Sequence, residues 1–530
     1  MAPTAPSKAR AGAAGHCVAA TVGRSRPRPP VAGTMAVAMA LAAGAAQAQQ
    51  WRLESSVGSN LTWTSNALLG VDAAKPDFLI EVSPRLAIRG EGSRLRVAGS
   101  AELTTINYLQ GTRSSRLLPT ADITARFEAV DDFLFVDSGV RVSQEIENAF
   151  GAQSLAGGAG ETRNTTQLRI APRIESAIGP GLRYSLRSEN LRTWEARAAL
   201  AVDAPTGSGY FGRHSASMTR DPAPLGWHVE AERSDTRYYD SLQPTLVLDV
   251  ARAGVDYAIA SDLSAGVHGG VERNSFFRVD RQRAIYGFDL NWRPSDRTRL
   301  SAFAEQRYFG PGWRLAFDHR SPFLAWTLLL SRGTESAPQG QLELPVTGNV
   351  AALLDALFTT RFPNPVDRAK QVQLFMAQQG LPASTTRPTN LFSQRLSLAT
   401  AARGSVALIG ARSSALLGLY YSRVVDAPEA GDLATGRIIN NNIQRGVDLT
   451  LTHRLKPTVS ASLAFDLSRI QAVASGAGDR TTQAGARASV RVQLALATSA
   501  TFGGSVRKLA SNVTPSGKQV SVFAGFEHGF

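Results

Sequence analysis

From Trp51 onward the apolar residues recur with a period of two, in runs too long for ordinary soluble strands. Trp51, Leu53, Val57, Leu61 and Trp63 share one parity, as do Phe78, Ile80, Val82, Leu86 and Ile88. The same holds for Tyr286, Phe288, Leu290 and Trp292, for Leu324, Trp326, Leu328 and Leu330, and for Leu463, Phe465 and Leu467. Strict alternation predicts strands with one apolar face. Many of these runs reach ten residues, whereas soluble strands average about 5 or 6. Ten residues is the length a tilted strand needs to cross a bilayer. No window after residue 50 approaches the 18 or more apolar residues of a membrane helix.

The connections sharpen this. Tight turns such as GEGS (90–93), DPAP (221–224), PSDR (294–297) and GARS (410–413) alternate with longer stretches, among them ENAFGAQSLAGGAGETR (147–163) and VVDAPEAGDLATGR (424–437). A sandwich in water has no reason to keep one end short. Outer-membrane barrels do, with short periplasmic turns and longer extracellular loops. The expected fold is therefore all-β: a transmembrane antiparallel up-and-down β-barrel of about 22 strands, in a range of roughly 18 to 24. The barrel should span 49–530. Prolines interrupt two similar strands, IEVSPRLA (80–87) and LRIAPRIE (168–175). They are expected to mark strand beginnings or bulges, because proline removes one ladder hydrogen bond.

Residues 1–48 read as a signal peptide. Arg24, Arg26 and Arg28 precede an apolar stretch from Val31 to Ala46, and Ala46-Gln47-Ala48 has the small-x-small form of a cleavage site. The only cysteine, Cys17, lies within it, so the remaining chain forms no disulfide. Hydrophobic residues make up 43% and charged ones 19%, with mean hydropathy −0.11. After the signal, 52 basic residues stand against 43 acidic ones. The basic side is nearly all arginine, scattered without a basic run interleaved with aromatics, which argues against nucleic acid as a partner.

One segment breaks the period of two. Val350, Leu353, Leu354, Leu357 and Phe358 have helical spacing, and a second run from Val366 to Gln379 follows Pro365. An αα-hairpin is expected within a long loop insert, 335–389, on the extracellular side. Its apolar stripe needs a cover; a plug or gate in the lumen, a place on the rim and a partner protein are all open.

The chain holds no GxSxG, GxGxxG or Walker pattern, and its remaining histidines (His214, His228, His268, His319, His453, His528) are far apart in sequence. No catalytic residue, metal ligand or cofactor is expected. A hydrolase would need one of these histidines to converge with a serine and an acid. Arg233, Arg273, Arg332 and Arg469 lie near the upper ends of rising strands on the apolar parity. They are candidates for bidentate contacts to lipopolysaccharide phosphates, or else for ordinary rim residues paired with acids.

The stretch YGFDLNWRPSDRTRLSAFAEQRYFGPGWRLAFDHRSPFLAWTLLLSR (286–332), the insert pieces LLDALF (353–358) and PVDRAKQVQLFMAQQGLP (365–382), and FLFVDSGVRVSQ (133–144) carry a resemblance. Together they resemble the outer-membrane β-barrel proteins associated with PEP-CTERM/exosortase systems. The resemblance implies the cell outer membrane of a Gram-negative bacterium and a link to exopolysaccharide production; it implies no catalytic residues. The expected function is a porin-like or export channel, with exopolysaccharide or a periplasmic export component as partner. The alternatives are a closed anchoring barrel that binds a partner through its loops and, less favoured, an outer-membrane hydrolase. Outer-membrane lipid and lipopolysaccharide would surround it. The closing strand QVSVFAGFEHGF, with Val522, Ala524, Phe526 and Phe530 on one parity, resembles the signal read by the barrel-assembly machinery. It should pair with the strand Trp51 to Trp63.

Overall fold

The computed structural model describes residues 50–69, 73–146, 150–151, 162–195, 208–239, 245–275, 281–336, 339–340, 350–379, 381, 396–427, 441–473 and 478–530. The chain divides after Gln49, and all that follows concerns the unit Gln50–Phe530. The proposed cleavage residues Ala46 and Ala48 lie outside the described residues.

Gln50–Phe530 forms one closed antiparallel β-barrel of 22 strands. The strands are β1 (Gln50–Thr64), β2 (Asp77–Glu91), β3 (Leu95–Tyr108), β4 (Arg116–Val130), β5 (Leu134–Ile146), β6 (Thr162–Ala177) and β7 (Leu182–Glu195). Next come β8 (Gly209–Arg220), β9 (Leu225–Tyr238), β10 (Leu246–Ala260), β11 (Leu263–Asn274), β12 (Arg281–Ser295), β13 (Thr298–Arg307), β14 (Gly310–Arg320) and β15 (Leu324–Glu335). The last are β16 (Ser397–Ile409), β17 (Ser413–Asp426), β18 (Asn442–Lys456), β19 (Val459–Ala472), β20 (Arg480–Ala495), β21 (Thr498–Ser511) and β22 (Gly517–Gly529). Each strand pairs with the next, and β22 returns to β1 from Ser56↔Gly529 to Thr64↔Ser521. The Phe530 amide extends this seam by donating to the Ser55 carbonyl at 2.9 Å. The strand expected to close the sheet does so, against the expected neighbour.

Ten connections on one side run two to four residues, and the other side carries the long ones. One exception sits on the long side, where only Tyr308 and Phe309 join β13 to β14. Tyr308 packs beside Leu396, Ala427, Leu246 and Leu248, and this burial raises its phenol pKa.

The two expected proline positions need correction. Pro84 lies in the middle of β2 opposite Val57, and Pro172 in the middle of β6 opposite Val136. The pairings on either side of each keep the same register (Val82↔Thr105 and Arg85↔Glu102; Ile170↔Asn190 and Arg173↔Arg187). There is neither a strand start nor a bulge. The prolines share parity with the outward apolar residues, and each leaves a gap in a single ladder while the other side of the strand stays paired.

Alternation sorts the side chains onto two surfaces. Leu53, Leu61, Val255, Val267, Phe288, Phe465, Leu467, Phe502 and Val522 point outward and stay exposed. The opposite parity carries serine, threonine, glycine, arginine and carboxylates into the lumen. A belt of this kind far exceeds the few hundred Å² of contiguous apolar surface that a monomer in water tolerates. Hydrocarbon is the solvent that fits it.

The two faces therefore respond differently to charge. Phe465→Arg, on the outward face of β19, should destabilise the barrel by about 2–4 kcal/mol. Ser462→Arg, on the lumenal face of the same strand, loses one hydroxyl pair with Ser489 (2.7 Å) and should cost under about 1 kcal/mol. Urea unfolding from lipid vesicles measures both; equal costs would contradict the assignment of faces.

Candidate functional site

Two helices break the sheet: α1 (Val350–Phe358) and α2 (Pro365–Gln379). They form where the spacing predicts, with proline at the first position of α2, where its missing N–H costs nothing. Arg368 joins the helices through Asp355 at 2.8 Å, and Phe358 packs edge-on against Phe375. Val350, Leu353, Leu354 and Leu357, at i, i+3, i+4 and i+7, are all buried.

The cover for that stripe is the barrel wall. Leu354 and its neighbours share one cluster with Ala325, Ala407 and Leu416. These three face one another across β15, β16 and β17 and have lumenal parity. They lie next to the short turns at 321–323 and 410–412, at the far end of the barrel from where the insert leaves β15. The hairpin therefore reaches down through the lumen and docks near the short-turn end. Arg320 fixes it there by donating to the Ala356 carbonyl (3.2 Å) in the last turn of α1, where a cation suits the helix dipole. Of the three covers left open by the sequence, the lumen is the one observed.

Beside the hairpin is a cavity of about 1650 Å³. Its lining runs from Arg187 and Arg213 on β7 and β8, across β12 to β16, to Val350 and Leu353 of α1. Ten arginines border it, including Arg293, Arg299, Arg314, Arg320 and Arg403, against four acids, Asp296, Glu305, Asp318 and Glu335. Arginine offers five donors in a planar fork that matches carboxylate and phosphate. This space therefore carries an excess of positive charge.

The wall beside the cavity holds a dense polar cluster on β9 to β13. Glu305 is fully buried and takes Arg252 at 2.5 Å, with Arg307 at 3.3 Å. Glu272 pairs with Arg307 at 2.7 Å. His228 Nδ1 lies 2.7 Å from Asp256 and His268 Nδ1 2.6 Å from Asp289. The His268 ring stacks on Phe303. One row across the strands reads His228, Gly254, His268, Gly287, Glu305, Gly312. Glycine here gives the rings room to lie flat: a Cβ on Gly254 would sit 2.5 Å from His228 Nε2, and one on Gly287 2.6 Å from His268 Nε2.

Histidine roles divide by face. The other four point outward and bond a hydroxyl across the ladder: His214 with Ser188 (2.9 Å), and His319, His453 and His528 with Thr298, Ser413 and Thr498 (2.8 Å each). Asp235 stands 3.9 Å from His214 Nε2, beyond hydrogen-bond reach, so Ser188, His214 and Asp235 form no relay. The sequence-based expectation missed the meeting of His228, His268 and Asp289, whose ligand atoms come within 4.8 Å of one another. The signal was present in their shared lumenal parity, but only strand register brings them together.

The four candidate rim arginines do not form one ring. Arg233 and Arg273 flank Asp249 in register, with Arg233 3.4 Å from its carboxylate. Arg332, on β15, donates to the Pro311 carbonyl at 2.9 Å. Arg469, on β19, stands opposite Arg445. In β22, Val522, Ala524 and Phe526 keep the outward parity, and the ring of His528 meets Phe530 edge-on at 4.9 Å.

No protein-family model matches the chain, and no curated protein does. Among solved structures it is similar to the siderophore receptor PirA from Acinetobacter baumannii, at 10% identity over 90% of this chain and 80% of that one, with a TM-score of 0.44. It is also similar to the outer membrane protein opdK from Pseudomonas aeruginosa, at 8% identity over 90% and 99%, with a TM-score of 0.33. A third is the siderophore receptor PiuA from Acinetobacter baumannii, at 7% over 91% and 82%, with a TM-score of 0.42. Likeness at this level assigns neither ligand nor activity.

The docking contact can be weakened without touching the barrel. Leu354→Ala empties a fully buried position and should cost about 2–5 kcal/mol of hairpin docking. Hydrogen exchange in α1 should accelerate accordingly while the strand amides stay protected. Unchanged exchange in α1 would show that the hairpin does not depend on this cluster.

Proposed function

We infer that this chain is an outer-membrane barrel that passes an anionic solute or polymer, with the α1–α2 hairpin as its gate. The observation that carries this is the arginine-bordered cavity between the hairpin and the lumenal wall. A water-filled passage with an excess of one sign of charge concentrates ions of the other sign. The outward apolar belt and the short and long ends fit a bacterial outer membrane, with the short turns in the periplasm.

The resemblance to PEP-CTERM/exosortase-associated barrels gives the anion a candidate identity. An acidic exopolysaccharide presents carboxylates at regular intervals, which the guanidinium groups of Arg293, Arg314 and Arg403 would bind in succession. A periplasmic export component would deliver it to the short-turn end, where the hairpin docks. Arg233, Arg273 and Arg469, on the outward parity, would meet lipopolysaccharide phosphates, whereas Arg332 borders the cavity. Residues 1–48 would direct the chain across the inner membrane, and the barrel-assembly machinery would read Val522, Ala524, Phe526 and Phe530. The docked hairpin also favours a second reading, a closed barrel that anchors a partner through its loops. The hydrolase reading loses support because the outward histidine nearest to an acid has no hydrogen bond to it.

Planar-bilayer recording of the refolded protein separates the first two readings. Wild type should conduct weakly and prefer anions, and deletion of 350–379 should raise the current several-fold. Replacing Arg293, Arg314 and Arg403 with glutamate should move the preference toward cations. No current after deletion of 350–379 would sink the passage and leave the anchoring barrel.

A further inference from the structure

The paired histidines on the lumenal wall are not needed for an anion passage. His228 Nδ1 is occupied by Asp256 at 2.7 Å, which leaves Nε2 as its available nitrogen. His268 is almost wholly buried, with Nδ1 on Asp289 at 2.6 Å. Its Nε2 lies 3.3 Å from Glu305 Oε2 and makes no hydrogen bond. A buried ring nitrogen without a hydrogen bond is costly, so a ligand that completes its bonding would stabilise the cluster. Around the two rings, Asp256, Asp289, Glu272 and Glu305 outnumber Arg252 and Arg307, which leaves room for added positive charge.

We propose that His228, His268 and Asp289 form a site for a divalent transition metal of the zinc class on the lumenal wall. Two imidazoles and one carboxylate, with a fourth position open to solvent, are a common zinc ligand set. His228 supplies Nε2, held in the correct tautomer by Asp256. His268 supplies Nδ1, which leaves its proton on Nε2 to donate to Glu305. Both rings then have the carboxylate partner that metal-bound histidines usually carry, and the unbonded Nε2 is explained. The ligand atoms now lie within 4.8 Å of one another. Tetrahedral bonds of about 2.0–2.1 Å would set them about 3.4 Å apart, which parts His268 Nδ1 from the Asp289 oxygen it now meets at 2.6 Å and draws His228 in. His228 and Asp289 are partly exposed to the lumen, so the ion has a way in. The site rests on β9 to β12 and stands whether or not the barrel conducts.

Cobalt(II) is the probe, added to the full-length barrel refolded in detergent, with zinc(II) titrated calorimetrically in parallel. One equivalent should bind and give the intense visible band of tetrahedral cobalt. His228→Ala should abolish the band, and Asp256→Asn should weaken affinity by about 10–100-fold. His453→Ala, on the outward face, should change nothing. His228 lies at the lumenal surface, so its variant is expected to fold; the shift in gel mobility on heating checks this. An absent cobalt band in wild type would overturn the proposal. Equal affinity in His228→Ala would overturn it as well.

Discussion

The structure depends on one requirement: in hydrocarbon, every backbone N–H and C=O must find its partner within the protein. An open sheet of the 22 strands, joined by 21 ladders, would still expose two edges. Pairing of β1 with β22 removes both, and the Phe530 amide on Ser55 continues that ladder to the last residue. The requirement also explains how Pro84 and Pro172 are tolerated. Each sits on the outward parity and withholds one donor, yet the flanking pairs keep register. The loss stays local because the neighbouring strands are held by a dozen further bonds.

Closure then divides the side chains between two solvents. The outward set needs only to be apolar, so Leu, Val and Phe repeat there with little further pattern. The lumenal set meets water and must satisfy charge, and it does so mostly in cross-strand pairs such as Arg169 with Glu189 and Arg163 with Glu195. Pairs open to solvent contribute little stability. The buried ones on β9 to β13 matter more, because removing one partner strands a charge out of reach of water. This is why the glycines of the His228-to-Gly312 row carry weight: side chains at Gly254 and Gly287 would push into the two imidazole rings.

The architecture was legible in the sequence because period-two alternation and turn length are local signals. Strand number and closure by the last strand follow from them, and both helices from their own helical spacing. What was not legible depends on register. A shift of two residues in β11 would leave every local signal intact and still move His268 out of line with His228 and Glu305. The proline positions were misjudged for a related reason: local propensity disfavours proline in a paired strand, whereas register was held from both sides. Histidine gave a similar lesson, since the face of the barrel, not the neighbouring residues in sequence, decides whether its partner is a hydroxyl or an acid.

The hairpin shows why a plug and a barrel can have separate stabilities in one chain. The wall is a ring of 22 mutually supporting ladders, and opening any one exposes polar backbone to lipid. The hairpin is held by one apolar cluster on Ala325, Ala407 and Leu416, and by the Arg320 bond to Ala356. Undocking exposes that cluster to lumenal water and leaves every wall hydrogen bond in place. Its free energy is therefore set by a few side chains, at the low end of the range of local opening. The cavity arginines stand against the same helix, so an anion that binds them more tightly when α1 has moved away would draw the hairpin off its seat, as far as its differential affinity for the two states allows.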